Sequence, residues 1–261
     1  MSNLVMKVVG PDMRSYGGFL WPESGYVEAP DWDPQPACGR GLHGWLNGQG
    51  DYTCQSFTEI DGAKWLILEV DNFIDLVGKV KFQSCTVVHC GTRQTATNYL
   101  LQAGISGPII GVTVSGGPNS RVSGGDGSTV SGGPNSRVSG GYGSTVSGGP
   151  NSRVSGGPNS RVSGGPNSRV SGGDGSTVSG GDGSTVSGGD GSTVVGGDGS
   201  TVSGGPNSRV SGGDGSTVSG GTGSVLILRD CNYSPKTATV GENGILPDTP
   251  YILKDGVFTR V

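Results

Sequence analysis

Charge is scarce in this chain. Only 15% of its 261 residues are Asp, Glu, Lys or Arg, and the formal net charge is −4. That balance gives no whole-chain case for nucleic-acid binding and no acidic tail. Aromatic residues reach 6%, too few for a large aromatic core. No apolar run approaches the roughly 18–20 residues that span a bilayer as a helix, so no membrane partner is expected. The two histidines and five cysteines leave few ligands for metal or redox chemistry. The odd cysteine number, and a Met1–Gly10 segment too short and too polar for a signal peptide, point to reduced thiols in a cytoplasm.

Glycine, in contrast, is abundant at 54 residues, and it is periodic. A unit Ser-Gly-Gly-x-(Gly/Asn)-Ser-(Thr/Arg)-Val repeats fourteen times without a slip from Ser115 to Leu226. Periodic glycine argues for turns at fixed offsets, and a period this short for one small unit stacked on its own copies. Thr/Arg-Val-Ser reads as a short strand with the valine pointing in. The core ladder is then Val114, Val122, Val130, Val138, Val146, Val154, Val162, Val170, Val178 and every eighth residue to Val218. The Ser two residues before each valine (Ser120, Ser128) shares that inward parity, so its hydroxyl must hydrogen-bond along the stack. Pro-Asn or Asp-Gly makes the corner. So thin a core suits a two-sided coil of two octads, 16 residues. Seven coils at about 4.8 Å give a rod of roughly 34 Å; a triangular coil of three octads is the other possibility.

The fold class expected is mostly β, in three parts. Residues 1–108 read as a small α+β domain, with strands at Leu4–Val9, Ala63–Val70 and Val80–Cys90 and Pro- and Gly-rich turns across Gly10–Asn47. Its helix, Thr92–Ala103, has Thr92 as N-cap, an apolar face of Tyr99, Leu100 and Ala103, and Gly104 past the end. Residues 109–226 form the β-solenoid, entered by a strand at Ile109–Val114. Residues 227–261 form a C-terminal β cap, following a terminal strand at Val225–Arg229 and ending in a hairpin around Asp255-Gly256.

Charge is patterned along the repeats. Arg121, Arg137, Arg153 and Arg169 fall on one face at the strand spacing; Arg161 and Arg209 fall on the other. Asp174, Asp182, Asp190, Asp198 and Asp214 fill the second half, with Asp126 alone in the first. An uncompensated arginine ladder costs stability. Antiparallel pairing of two rods, basic half to acidic half, would compensate it, and so would a host protein or external polyanion.

The octads, including Gly141-Tyr142-Gly143-Ser144-Thr145-Val146-Ser147, resemble those of bacterial ice nucleation proteins, and the resemblance implies a β-solenoid. Ice binding needs a regular hydroxyl array, yet only seven octads carry Thr at the seventh position. A nine-residue calcium-binding roll does not fit a period of eight. Cys38-Gly39-Arg40-Gly41-Leu42-His43 resembles the Cys-x-x-Gly-(Phe/Leu)-His segment of an uncharacterised bacteriophage protein family. Those proteins also continue into octapeptide repeats and close like Val240-Gly241-Glu242-Asn243-Gly244-Ile245 and Thr249-Pro250-Tyr251-Ile252-Leu253. The resemblance implies a phage source, in the host cytoplasm or on the virion, and no catalytic residues.

Cys38, His43, Cys54, Cys85, His89 and Cys90 are the weak zinc candidates, their spacings matching no paired Cys-x2-Cys site. The glycine-rich Gly39–Gly44 segment is similar to the nucleotide pocket of ADP-ribosyltransferases, which would make His43 a substrate contact, but no matching catalytic glutamate accompanies it. The expected function is therefore a non-enzymatic binding or assembly protein, without cofactor, that self-associates. Inhibition of a host factor by engaging or mimicking nucleic acid, an enzymatic N-terminal domain and ice binding are the alternatives.

Overall fold

The computed structural model describes residues 3–58, 60–105, 107–232 and 234–261. These form two compact units, Met1–Val112 and Thr113–Val261.

The first unit is a seven-stranded antiparallel sheet with one α-helix. Strands β1 (Asn3–Val9), β2 (Gly25–Glu28), β3 (Leu42–Leu46), β4 (Lys64–Val70), β5 (Ile74–Asp75), β6 (Val80–Phe82) and β7 (Ser84–Gly91) lie in the order β2-β7-β4-β1-β3-β6-β5. Two of these correct the sequence reading: β2 and β3 lie inside Gly10–Asn47, where turns alone are expected. Both are short and flanked by Gly and Pro, which masks their alternation. The expected strand Val80–Cys90 is broken at Gln83, because its two halves pair with different partners. Val80–Phe82 lies against β3, and Ser84–Gly91 against β4 and β2. One nearly continuous segment thus serves both ends of the sheet order. The core gathers Val5, Val9, Trp21, Leu66, Leu68, Val70, Phe82 and Val87.

Helix α1 (Arg93–Gln102) starts on a reciprocal cap. Thr92 Oγ1 accepts the Thr95 N–H at 3.3 Å, and Thr95 Oγ1 accepts the Thr92 N–H at 3.0 Å. Its buried face is Ala96, Thr97 and Leu100, packed against β4 and β7. Ala103, expected on that face, is exposed, and Tyr99 is half-buried beside His89. Ile109–Val112 is not the expected entry strand: Ile109, Ile110 and Val112 are buried in the first unit, and the Ile110 N–H bonds Gly48 O at 2.8 Å.

The second unit is a two-sided β-solenoid. Strand pairing is parallel and in register at 16 residues: Thr129 with Thr145, Arg137 with Arg153, Val146 with Val162. Consecutive octads therefore alternate between two nine-stranded sheets over about seven coils. Valines 122 to 218 form one continuous ladder, each at most 7% exposed. Beside it runs the serine ladder. Along most of it the serine N–H reaches the hydroxyl one coil on, as Ser144 to Ser160 Oγ at 3.2 Å. That hydroxyl donates back to the preceding coil's corner, as Ser160 Oγ to Gly141 O at 3.1 Å. The ladder lets a polar side chain occupy half of a narrow interior with its hydrogen bonds made.

The Gly-Gly pair is steric. A Cβ on Gly164 would sit 2.5 Å from Val170 Cγ2, and one on Gly165 would sit 2.7 Å from Pro150 N of the coil before. At the corner's second position the backbone is left-handed in every octad, whether Asn or Gly: φ is 60° at Asn119 and 63° at Gly127. The open end is closed by antiparallel strands. Pro235–Thr239 pairs with Val225–Arg229, and Tyr251–Lys254 pairs at Val218 and turns through Asp255-Gly256 into Val257–Arg260. These strands extend the solenoid's own sheets, so residues 227–261 share its core through Val240, Ile245 and Tyr251. None of the helices among the described residues is long and apolar enough to cross a membrane.

Candidate functional site

Two surfaces hold the chemically distinctive residues. The first is an edge of the solenoid. Arg121, Arg137, Arg153 and Arg169 begin four successive strands of one sheet and pair in register, all exposed. They line a shallow groove of about 540 Å³ with the outward serines Ser123, Ser139, Ser155 and Ser171. Among the described residues none of these arginines forms an ion pair; the only two such pairs are Arg14–Asp12 and Arg40–Asp33, both at 3.8 Å.

The aspartates sit at the corners, not on the sheet faces, and they have structural work. Asp174 Oδ1 accepts the Asp190 N–H at 2.9 Å, Asp182 the Asp198 N–H at 3.0 Å, and Asp198 the Asp214 N–H at 2.9 Å. Asp126 does the same for Tyr142 N–H at 2.8 Å. Each of these four carboxylates latches the next coil while its charge stays at the surface. The two corner columns differ in composition. The column leading into the arginine strands reads Pro118, Pro134, Pro150, Pro166, Asp182, Asp198, Asp214. Pro-Asn octads always carry Arg and Asp-Gly octads always carry Thr. This one edge is therefore cationic over four coils and anionic over the next three. The opposite edge mixes Asp126, Arg161, Asp174, Asp190 and Arg209, with no segregation.

Hydroxyls also align in columns. On one sheet Thr113, Thr129 and Thr145 precede Arg161, then Thr177 and Thr193 precede Arg209; on the other, Thr185, Thr201 and Thr217 follow the four arginines. The longest uninterrupted threonine run is three coils.

The second surface is a cleft in the N-terminal sheet unit, where β3 begins at Leu42. Cys38, His43 and Cys54 line it. Burial, then the charges of Lys79, Lys7 and Lys81, push His43 down to about 4, so its ring is neutral. Lys81 is fully buried and forms no ion pair among the described residues: its ammonium donates to Gln35 O at 3.0 Å and Ala37 O at 3.1 Å and lies 5.5 Å from the Trp32 ring centre. It pins the segment just before Cys38. The remaining zinc candidates lie elsewhere. Cys85 is buried in the sheet core, its thiol pushed up to about 12 by desolvation. His89 shares a hydrogen bond with Thr95 Oγ1 at 2.9 Å, and Cys90 lies against Met13. No three His, Cys, Asp or Glu side chains among the described residues converge as a metal site.

Residues 3–100 match the family described as Domain of unknown function (DUF7666). The chain is also similar to ice nucleation proteins. It is 32% identical over 102 residues to ice nucleation protein InaU of Pantoea ananas, covering 38% of this chain and 10% of that protein. It is 37% identical over 101 residues to those of Pseudomonas fluorescens and Xanthomonas campestris pv. translucens, covering 37% of this chain and 8% and 6% of theirs. The chain thus spans a tenth or less of the length of these relatives. No solved structure matches it. Its similarities are therefore to a domain family over the N-terminal sheet and to ice nucleation proteins over about two fifths of its length.

Proposed function

We propose that this protein is a non-enzymatic assembly module whose solenoid edge docks antiparallel against the same edge of a second copy. The observation that carries the reading is the segregation of charge along one edge: four coils with arginine at the strand start, followed by three with aspartate at the corner. In-register like charges destabilise a sheet by on the order of a few tenths of a kcal/mol per neighbouring pair, and among the described residues no carboxylate forms an ion pair with these arginines. An isologous contact offsets that cost. With the copies offset by one coil, Arg137, Arg153 and Arg169 of each face Asp214, Asp198 and Asp182 of the other. No like charges meet in that register, and Arg121 overhangs. The three-part layout further suggests a phage-encoded protein acting in the host cytoplasm or on the virion.

Light scattering at low and high salt tests the reading. A dimer that dissociates as salt screens the pairs is expected. Arg153→Asp should give a monomer, and adding Asp198→Arg should restore the dimer. A wild-type monomer at low salt, or a double variant that stays monomeric, would overturn the proposal.

Ice binding is the second reading, supported by the threonine and serine columns and by what the relatives' names say of them. Arginine interrupts those columns after at most three coils, so the template is small. It predicts growth arrest of seed ice crystals, lost when Thr129→Arg and Thr201→Arg together break both three-coil runs.

A further inference from the structure

The cleft of the N-terminal unit has a volume of about 750 Å³ and an unusual polar lining. Gln55 is 8% exposed. Its Oε1 accepts the Val8 N–H at 3.3 Å, which fixes the amide and leaves Nε2 buried with no partner. Trp21, 2% exposed, likewise has a buried indole N–H with no partner. Both groups donate only. Lys7 and Lys79 line the same cleft and form no ion pair among the described residues. The acid on the lining, Asp31, accepts the Gly41 N–H at 3.1 Å, and Arg40 at the rim is held loosely by Asp33. His43, the Tyr16 phenol and the thiols of Cys38 and Cys54 are the other titratable groups on the lining.

Cations and unpaired donors thus converge where, among the described residues, the one lining carboxylate, Asp31, already accepts the Gly41 N–H. The cost is visible in the lysine: burial, then repulsion from Lys79, lowers Lys7 to about 8. Burial, then the same lysines, depress His43. An anion entering the cleft would supply the acceptors and relieve the repulsion at once. Phe19 and Phe57 add apolar wall beside the donors. We infer that this cleft binds a small phosphorylated ligand, its oxyanion held by Lys7, Lys79, Gln55 Nε2 and Trp21 Nε1 and its body against Phe19 and Phe57. A nucleic-acid strand is the poorer fit, because the unpaired donors are buried and only a group that enters can reach them.

Calorimetry of the full chain with pyrophosphate, AMP and a short single-stranded oligonucleotide tests this. Saturable binding of a small probe is expected. Pyrophosphate binding as tightly as AMP assigns the site to free phosphate, and tighter AMP assigns it to an organic ester. Lys79→Gln, at a half-exposed position, should weaken binding about tenfold or more, with Lys79→Arg recovering most of it. Gln55→Glu keeps the acceptor for Val8 and replaces the donor with negative charge, so it should abolish binding. In the wild type, bound ligand should raise the His43 pKa followed by NMR, while Arg137→Ser leaves affinity unchanged. The inference fails if no small probe gives saturable heat or a His43 shift up to about 10 mM. It fails equally if folded Lys79→Gln binds like wild type, or if the oligonucleotide binds more tightly than either small probe.

Discussion

Removing one rung of the serine ladder tests whether the solenoid interior depends on hydroxyls as much as on valines. Ser160 is 1% exposed, and its Oγ both accepts the Ser144 N–H at 3.2 Å and donates to Gly141 O at 3.1 Å. Ser160→Ala leaves that N–H buried with nothing to donate to, whereas Gly141 O keeps the Gly157 N–H at 3.2 Å. One orphaned donor costs about 1–3 kcal/mol, and the lost hydroxyl bond adds roughly 0.5–1.5 kcal/mol. The expected total is about 2–4 kcal/mol. For a unit of this size that lowers the melting temperature by roughly 4–16 °C at about 2–4 °C per kcal/mol. Ser163→Ala is the matched control, since Ser163 is exposed on the strand Arg161–Gly164 that follows Ser160. Urea unfolding of both, followed by far-ultraviolet circular dichroism, makes the comparison. Equal midpoints within about 0.5 kcal/mol would refute the reasoning, because the interior would then be held by valine burial alone.

Val162→Asp, in mid-ladder, should abolish the cooperative β transition, since the carboxylate would enter a core with no cation; unchanged melting would reverse the inward assignment. Gly165→Ala should destabilise more than Gly143→Ala. Its Cβ meets backbone of the neighbouring coil, whereas Gly143 has open space and only a φ of +63°, at a cost of about 1 kcal/mol. Stability should fall as pH drops from about 6.5 toward 4, because there the unfolded state binds a proton that folded His43, at about 4, refuses; the difference between wild type and His43→Gln isolates the slope. A thiol reagent should modify exposed Cys38 and Cys231 quickly and buried Cys85 only on unfolding, read by mass spectrometry of timed digests.

The solenoid is legible in the sequence because its signal is redundant: a valine at every eighth position carries the same parity over and over, and one coil of two octads follows from how little such a row can enclose. The N-terminal sheet offers no such redundancy. Nothing local in Val80–Cys90 announces that Gln83 is where one partner is exchanged for another, since both halves have strand-like composition. Ile109–Val112 alternates like a strand but is claimed by the core of the first unit. The cleft is partly visible: His43 and Cys38 stand out by residue type, while Lys7, Trp21 and Gln55 do not. Each of those three is ordinary in its own segment, and only the sheet order brings them together. At the corners the aspartates read as free charge. The pairing of Asp-Gly with Thr and Pro-Asn with Arg inside single octads is the available sign that corner and strand vary as a unit.

Because each octad is half a coil, length and layout obey different rules. Any octad presents the same valine and serine to the interior, so deleting one leaves a foldable stack. Yet every octad beyond the deletion would cross to the other sheet, and the arginine row would be cut in two, one part on each sheet. Sixteen residues is the smallest edit that preserves the surface, although eight preserves the fold. Copy-number change in this chain is thus a parity switch: odd steps rewrite what the rod displays, and even steps only lengthen it.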